Sequence, residues 1–284
     1  MDTKGHEFRP DETHVGLTRL AIAPAPADSC SFVSNRGYYF RIAFRTFWLA
    51  GEVVLAVARF AALIAAHVGI PDRSARARWL RHICQRALRV FHVELRVTGL
   101  VPSSGLLVCN HLSYLDILVL GATTACVFVS KCEVRRWPVF GWCATLAGTL
   151  FLRRDKRSDV VRMTREMRQM FDDGALIVLF PEGTTSDGRE VLPFKSSLLE
   201  PATCQPHALS AGFIEYALAD GDVAEEVCYW KDMTLLPHLL NLLGKRGVEA
   251  RLSFIELRQA SPDRKQLARQ LHSEVVRLKE AFSI

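Results

Sequence analysis

The sequence predicts an α/β domain held behind an N-terminal helical membrane anchor. Three observations predict it. From Val93 onward, short apolar runs of strand length alternate with stretches of helical periodicity. Ahead of them stands one apolar run, Thr46 to Ile70, of the length a bilayer requires. Between the two lies a basic stretch with a helical apolar stripe.

Residues 1–34 are polar, Pro-bearing and aperiodic, and read as a flexible tail. They lack a basic start followed by an apolar core, which argues against a cleaved signal peptide. The run TFWLAGEVVLAVARFAALIAAHVGI would, as a helix, reach roughly 37 Å. It either spans or lies in a membrane, or it is a buried hydrophobic helix; the first two make it an anchor. Glu52 and Arg59 interrupt it seven residues apart, on nearly one face, where they can share a polar contact. In ARARWLRHICQRALRVF, Trp79, Leu80, Ile83, Cys84, Ala87, Leu88 and Phe91 recur at helical spacing, opposite Arg78, Arg81, Gln85, Arg86 and Arg89. An ordinary domain helix has this pattern too, but its place after an apolar run favours a surface of anionic lipid.

The strand-like runs are VELRV, GLLVC, ACVFV, GTLFL, ALIVLF, PHALSA and EARLSFIEL. Ser158 reads as the N-cap of DVVRMTREMRQMF, which Gly174 ends, and Ser261-Pro262 opens a last helix. The chain thus divides into a tail (1–34), an anchor with the basic helix (35–92) and an α/β domain (93–284).

Composition narrows the function. Among 284 residues, 49% are hydrophobic and the net charge is +6; the pI is near 9.0 and the mean hydropathy +0.11. A basic, apolar chain suits nucleic acid or an anionic membrane surface. Here the Lys and Arg residues flank long apolar runs, which points to membrane lipid and away from nucleic acid. The eight cysteines form no CxxC and no metal-like spacing with histidine. They read as reduced, in a protein facing the cytoplasm.

Three polar clusters close apolar strands, at the strand ends where α/β sheets bind ligands. In VCNHLSYLD, a His111 in the loop can fold back onto Asp116 in the first turn of a helix. A carboxylate on one imidazole nitrogen fixes the tautomer and makes the other a base for a hydroxyl group. Taken alone, HxxxxD in a chain with nine histidines reads as readily as a turn-capping His. GTLFLRR ends in Arg153-Arg154, which otherwise reads as a solvated pair. FPEGTTSDG sets Glu182, Gly183, Thr184 and Thr185 in a bend that is either solvated or the rim of a site. Cys109, beside His111, invites a Cys–His nucleophile, but neighbours at a strand end point to opposite sides.

Together NHLSYLD (110–116), GTLFLRR (148–154) and FPEGTTS (180–186), in this order and spacing, resemble the glycerolipid (lysophospholipid) acyltransferase family of the 1-acylglycerol-3-phosphate type. A segment near Gln205-Pro206 stands where the family has its fourth block, and the resemblance covers about 93–256. It implies a mixed sheet flanked by helices. It also implies O-acyl transfer to a lysolipid hydroxyl from acyl-ACP or acyl-CoA as co-substrate, with no cofactor, metal or covalent acyl-enzyme. By the resemblance His111 is the base, Asp116 orients it, and Arg154 and the Glu182-Gly183 turn with Thr184 and Thr185 hold the acceptor. Lys131 matches a lysine that contacts phosphate, or is an ordinary surface lysine. Trp137-Pro138-Val139-Phe140-Gly141 reads as an apolar wall for an acyl chain or as core packing. The implied partners are membrane lipids and acyl carrier protein or a CoA thioester. The implied place is the inner (cytoplasmic) membrane with the catalytic domain facing the cytoplasm.

Two departures stand out. Thr185 occupies a position where phosphatidate-forming members commonly carry Arg, which grips a phosphomonoester bidentately. EGTTSDG followed by LPFKSSL, and WKDMTLLPHL at 230–239, look more like the bacterial lyso-ornithine lipid acyltransferase branch. His207 stands where an apolar residue is commoner; its expected role is buried and hydrogen-bonded. The competing class, a basic lipid-binding protein of the membrane surface without turnover, expects His111 and Asp116 to be dispensable.

Overall fold

The computed structural model describes residues 30–153, 157–203 and 207–282. By internal contacts, Met1–Gly37 forms one unit and Tyr38–Ile284 another. Of the first, only the opening turns of α1 (Cys30–His67) are described. The tail reading of 1–34 therefore falls almost wholly outside the described residues, and the backbone is already helical from Cys30.

In the second unit, α1 continues to His67 and is followed by α2 (Arg73–Phe91), β1 (Val93–Thr98) and β2 (Gly105–Cys109). Next come α3 (Leu115–Thr123), β3 (Val127–Lys131), α4 (Phe140–Ala147), β4 (Leu150–Leu152), α5 (Arg157–Asp172) and β5 (Leu176–Leu179). β6 (Leu209–Leu218), α6 (Val223–Glu226), α7 (Leu235–Gly244), β7 (Val248–Glu256) and α8 (Arg264–Phe282) complete it. All seven expected strands are present. The sixth is longer than PHALSA implied, because the buried run continues through Phe213, Ile214 and Tyr216. α5 begins at Arg157, so Ser158 lies inside the helix and is not its cap. Asp263, one residue after Pro262, caps α8 by accepting from the Lys265 and Gln266 amides.

The strands form one mixed sheet in the order β1-β7-β6-β2-β5-β3-β4. Every pair is parallel except β6–β7. Period-two alternation divides two cores. Leu107, Cys109, Leu176 and Val178 face the layer of α2, α3 and α7. Leu106, Val108, Ile177 and Leu179 face Met163 and Met167 of α5 and Leu267 and Leu271 of α8. This is the mixed, helix-flanked sheet that the resemblance implied.

α2 corrects the lipid-surface reading of its apolar stripe. Trp79, Leu80, Cys84, Leu88 and Phe91 are buried in the core beneath it. Gly121 of α3 lets that helix approach so closely that a Cβ would meet the Cys84 sulfur. Part of the basic face is occupied by protein as well. Arg81 and Gln85 donate to the Ala122 carbonyl, and Arg86 grips Glu52 of α1 through two bonds of 2.6 and 2.5 Å. Glu52 also accepts from Trp48 Nε1 at 2.9 Å. Arg59 acts on Glu52 through space and makes no bond to it, because α2 delivers Arg86 to that carboxylate.

The segment Arg36–His67 is long and apolar enough to cross a membrane. Arg41 and Arg45 donate to the carbonyls of Leu243, Gly244 and Lys245 at the C-terminal end of α7, where a helix concentrates negative potential. Arg41, Arg45 and Glu52 of α1 thus face the protein, and Phe40, Phe44, Phe47, Val54 and Ile64 are exposed.

Candidate active site

The strand order carries the site. β2, β5, β3 and β4 are consecutive and parallel, so their carboxyl ends share one edge. Val108 pairs with Leu179, which sets His111 and Glu182 at equal distances past the last paired residues. Lys131 ends β3, one strand further, and is exposed. Arg153 follows β4, three strands from β2, or about 14 Å at ordinary strand spacing. Its backbone and side chain both donate to Asp159. Arg154 lies outside the described residues, as do Gln205 and Pro206.

His111 continues the alternation of Leu107 and Cys109 toward the α3 layer. There Asp116, in the first turn of α3, accepts from His111 Nδ1 at 2.7 Å. Asp116 is fully buried, and the His111 side chain is 19% exposed. The carboxylate receives three more donors: the amides of Leu112 at 2.7 Å and Ser113 at 3.0 Å, and the Tyr216 hydroxyl at 2.6 Å. Four donors match the capacity of an ionised carboxylate, which only accepts. The shared proton therefore belongs to Nδ1, and Nε2 is left with its lone pair. The imidazole stacks on Phe180 at 4.0 Å and 12°, and Phe180 on Phe128 at 6.3 Å.

Backbone bonds fix the loops around this pair. The Ser186 amide donates to the His111 carbonyl at 3.0 Å, tying FPEGTTS to NHLSYLD. Asn110 clamps β6 by exchanging two bonds with the Ile214 backbone. The Tyr229 amide donates to the Leu112 carbonyl at 2.8 Å. Gly183 turns the chain at φ +72°, a left-handed conformation that favours glycine. Thr184 is exposed and Thr185 half-buried on the same bend.

Glu182 is only 2% exposed, and neither carboxylate oxygen has a hydrogen-bond partner of ordinary geometry among the described residues. Burial pushes its carboxyl up to about 8, with the negative Asp116 adding to the effect; the His111 and Leu192 amides and Lys279 pull the other way. Cys109 is wholly buried and its thiol is pushed well up, chiefly by that burial. It is no nucleophile at neutral pH.

Trp137 and Phe140 do stand beside the site. Phe140 meets Tyr114 at 5.9 Å, Trp137 meets Tyr229 at 6.2 Å, and Tyr114 meets Tyr229 at 5.6 Å. His238 joins them with both ring nitrogens engaged, at Tyr114 Oη and the Cys228 carbonyl, each at 3.0 Å. Since a carbonyl only accepts, Nε2 donates to Cys228 and the Tyr114 hydroxyl donates to Nδ1. Burial pushes this imidazole's pKa down. His207 stacks on Phe171 at 3.9 Å. Among the described residues no group of three or more His, Cys, Asp or Glu side chains could hold a metal ion.

Sequence reasoning missed Tyr216, Asn110, Phe180, Tyr229 and His238 as parts of the site. Asn110, Phe180 and His238 were within the quoted motifs. Tyr216 was within reach of the β6 run carried five residues further. Nothing in the sequence brings Tyr229 and His238 here.

Comparison with known proteins bears on this geometry. The family profile described as Acyltransferase matches residues 93–206. The lyso-ornithine lipid O-acyltransferase of Brucella abortus (strain 2308) is 36% identical over 204 residues, 66% of this chain and 76% of that protein. The 1-acyl-sn-glycerol-3-phosphate acyltransferase of Neisseria gonorrhoeae is 31% identical over 47% of this chain and 56% of its own length. The crystal structure of the 1-acyl-sn-glycerophosphate acyltransferase of Thermotoga maritima superposes with a TM-score of 0.55 at 19% identity, over 87% of this chain and 95% of that one. This last similarity concerns the fold.

Proposed function

The chain belongs to the glycerolipid acyltransferase family and is an acyltransferase, and on that premise we propose that it acylates the free hydroxyl of a lysolipid, with His111 as general base. The carrying observation is the 2.7 Å bond from His111 Nδ1 to a buried Asp116, which leaves Nε2 as a base at the carboxyl edge of the sheet. Nε2 takes the proton of the acceptor hydroxyl as its oxygen attacks the thioester carbonyl of acyl-ACP or acyl-CoA. The tetrahedral intermediate collapses with cleavage of the C–S bond, and the imidazolium returns the proton to the departing thiolate. An ester and a free thiol result, with no acyl-enzyme, in keeping with the inert Cys109. The bend of Glu182, Gly183, Thr184 and Thr185, together with Lys131 and Arg154, holds the acceptor and the phosphate groups.

For the acceptor, lyso-ornithine lipid is favoured over 1-acylglycerol-3-phosphate. Thr185 supplies no cation for a phosphomonoester, and the Brucella abortus relative named for lyso-ornithine lipid is matched over a larger share of both chains. The reaction is placed at the inner membrane, with the site facing the cytoplasm.

The test offers the full-length, detergent-extracted protein labelled acyl-ACP and acyl-CoA, each with lyso-ornithine lipid and with lysophosphatidate. Acylation of lyso-ornithine lipid is expected; acylation of lysophosphatidate alone would reverse the acceptor, and acylation of neither would reject the proposal. His111→Ala should lower turnover by about 10²–10⁴-fold while the circular dichroism stays unchanged. Near-wild-type turnover would remove His111 from the mechanism.

A further inference from the structure

A groove of about 590 Å³ runs between α1 and α2, on the sheet face away from α5 and α8. Its floor is rigid. Trp79 Nε1 donates to the Ala56 carbonyl at 3.1 Å, and the Trp79 ring meets Phe60 edge-on at 5.0 Å. Ala62, Leu63 and Ala66 form one apolar wall, the two alanines leaving a trough where larger side chains would close it.

The rim is cationic. Arg59 and Arg78 line the groove with His67 and His82, and none of the described lining residues is acidic. Arg59 makes no hydrogen bond or ion pair among the described residues and feels Glu52 only through space, since that carboxylate is bonded to Arg86 and Trp48. A guanidinium within a helix apolar enough for a membrane is costly unless an anion meets it. Arg78 stands across the groove, bonded to Ser74 Oγ of its own helix.

We infer that this groove holds one anionic phospholipid of the bilayer, distinct from the substrate lysolipid, with an acyl chain along the Ala62–Ala66 trough and its phosphate between Arg59 and Arg78. A neutral detergent satisfies the trough alone and a free phosphate the rim alone; an anionic lipid satisfies both. The site would make membrane residence depend on anionic lipid independently of the catalytic edge.

The test uses the full chain with vesicles of phosphatidylcholine, alone or mixed with phosphatidylglycerol, and native mass spectrometry of the protein afterwards. The wild type should retain one phosphatidylglycerol and prefer the mixed vesicles. Arg59→Gln with Arg78→Gln should weaken that preference on the order of thirtyfold, two interfacial charges being removed. Ala62→Phe, which fills the trough and keeps both charges, should lose the retained lipid. The charge-matched control Lys265→Gln with Arg269→Gln, on the exposed face of α8, should keep it. Acylation of micellar lysolipid should stay within about twofold of wild type in the first variant, since neither arginine belongs to the catalytic edge. Equal losses in both double variants would reduce the effect to net charge and overturn the inference. So would a wild type that retains no phosphatidylglycerol, or a fall in micellar turnover, which would make the groove a path for substrate.

Discussion

Replacing Glu182 by Gln removes the most unusual ionisable group in the site, and the consequence can be worked through. The carboxyl is 2% exposed and sits at about 8 in the folded protein against an ordinary 4.5. A carboxyl raised in this way binds its proton more tightly folded than unfolded. Between about pH 4.5 and 8 the unfolded chain releases a proton that the folded one keeps, so stability falls as pH rises through that window. At about 1.36 kcal/mol per pH unit, the loss is at most roughly 5 kcal/mol above pH 8 and about 3 kcal/mol by pH 7. Glutamine keeps the shape and cannot ionise, so the variant lacks this dependence.

The assay is the thermal midpoint of the full chain in detergent across about pH 5 to 8, for both proteins. A domain of this size moves about 2–4 °C per kcal/mol. The midpoint difference should therefore widen by roughly 5–10 °C in favour of the variant between pH 5 and pH 7. A difference that stays flat would show that Glu182 does not carry a proton in this range. A difference that widens in favour of the wild type would show an ionised carboxylate held firmly by the His111 and Leu192 amides.

Tyr216→Phe removes one of the four donors on Asp116. Losing a hydrogen bond to a buried charge should lower the unfolding free energy by about 1.5–3 kcal/mol, read from denaturant midpoints. An unmoved midpoint would limit Tyr216 to packing. Gly183→Ala forces a Cβ into the left-handed bend at φ +72° and should cost about 1–2 kcal/mol, read from denaturant midpoints. An unchanged midpoint would mean the bend relaxes freely.

Much of this was legible because the relevant forces are local. The continuous apolar runs GLLVC and ALIVLF were readable as strands because a central strand is covered on both faces. The Asp116 partnership was readable because a loop histidine and a first-turn carboxylate need no distant chain to meet. Reading failed where a second element decides. The apolar stripe of α2 is equally suited to lipid and to core, and only the close approach of α3 at Gly121 settles that it is core. Glu52 and Arg59 share a face of α1, but α2 delivers Arg86 to Glu52 at 2.6 Å and leaves Arg59 to the groove. Tyr216 is 100 residues from Asp116, and the bond exists because β6 pairs with β2.

The direction of one strand explains the rest of the site. β6 runs parallel to β2, so it ends at the catalytic edge, and Tyr216 stands four residues past the Cys109–Gly212 pair. β7 runs antiparallel to β6 and starts at that edge, Leu218 pairing with Val248. The connection from 219 to 247 therefore stays at that end of the sheet. This is what brings the Tyr229 amide to the Leu112 carbonyl and His238 to Tyr114. Had β7 been parallel, the chain would have crossed to the opposite edge, and α7 with its histidine would have packed elsewhere. The aromatic wall beside His111 thus follows from a strand polarity that hydrophobic alternation does not encode, since alternation reads the same in both directions.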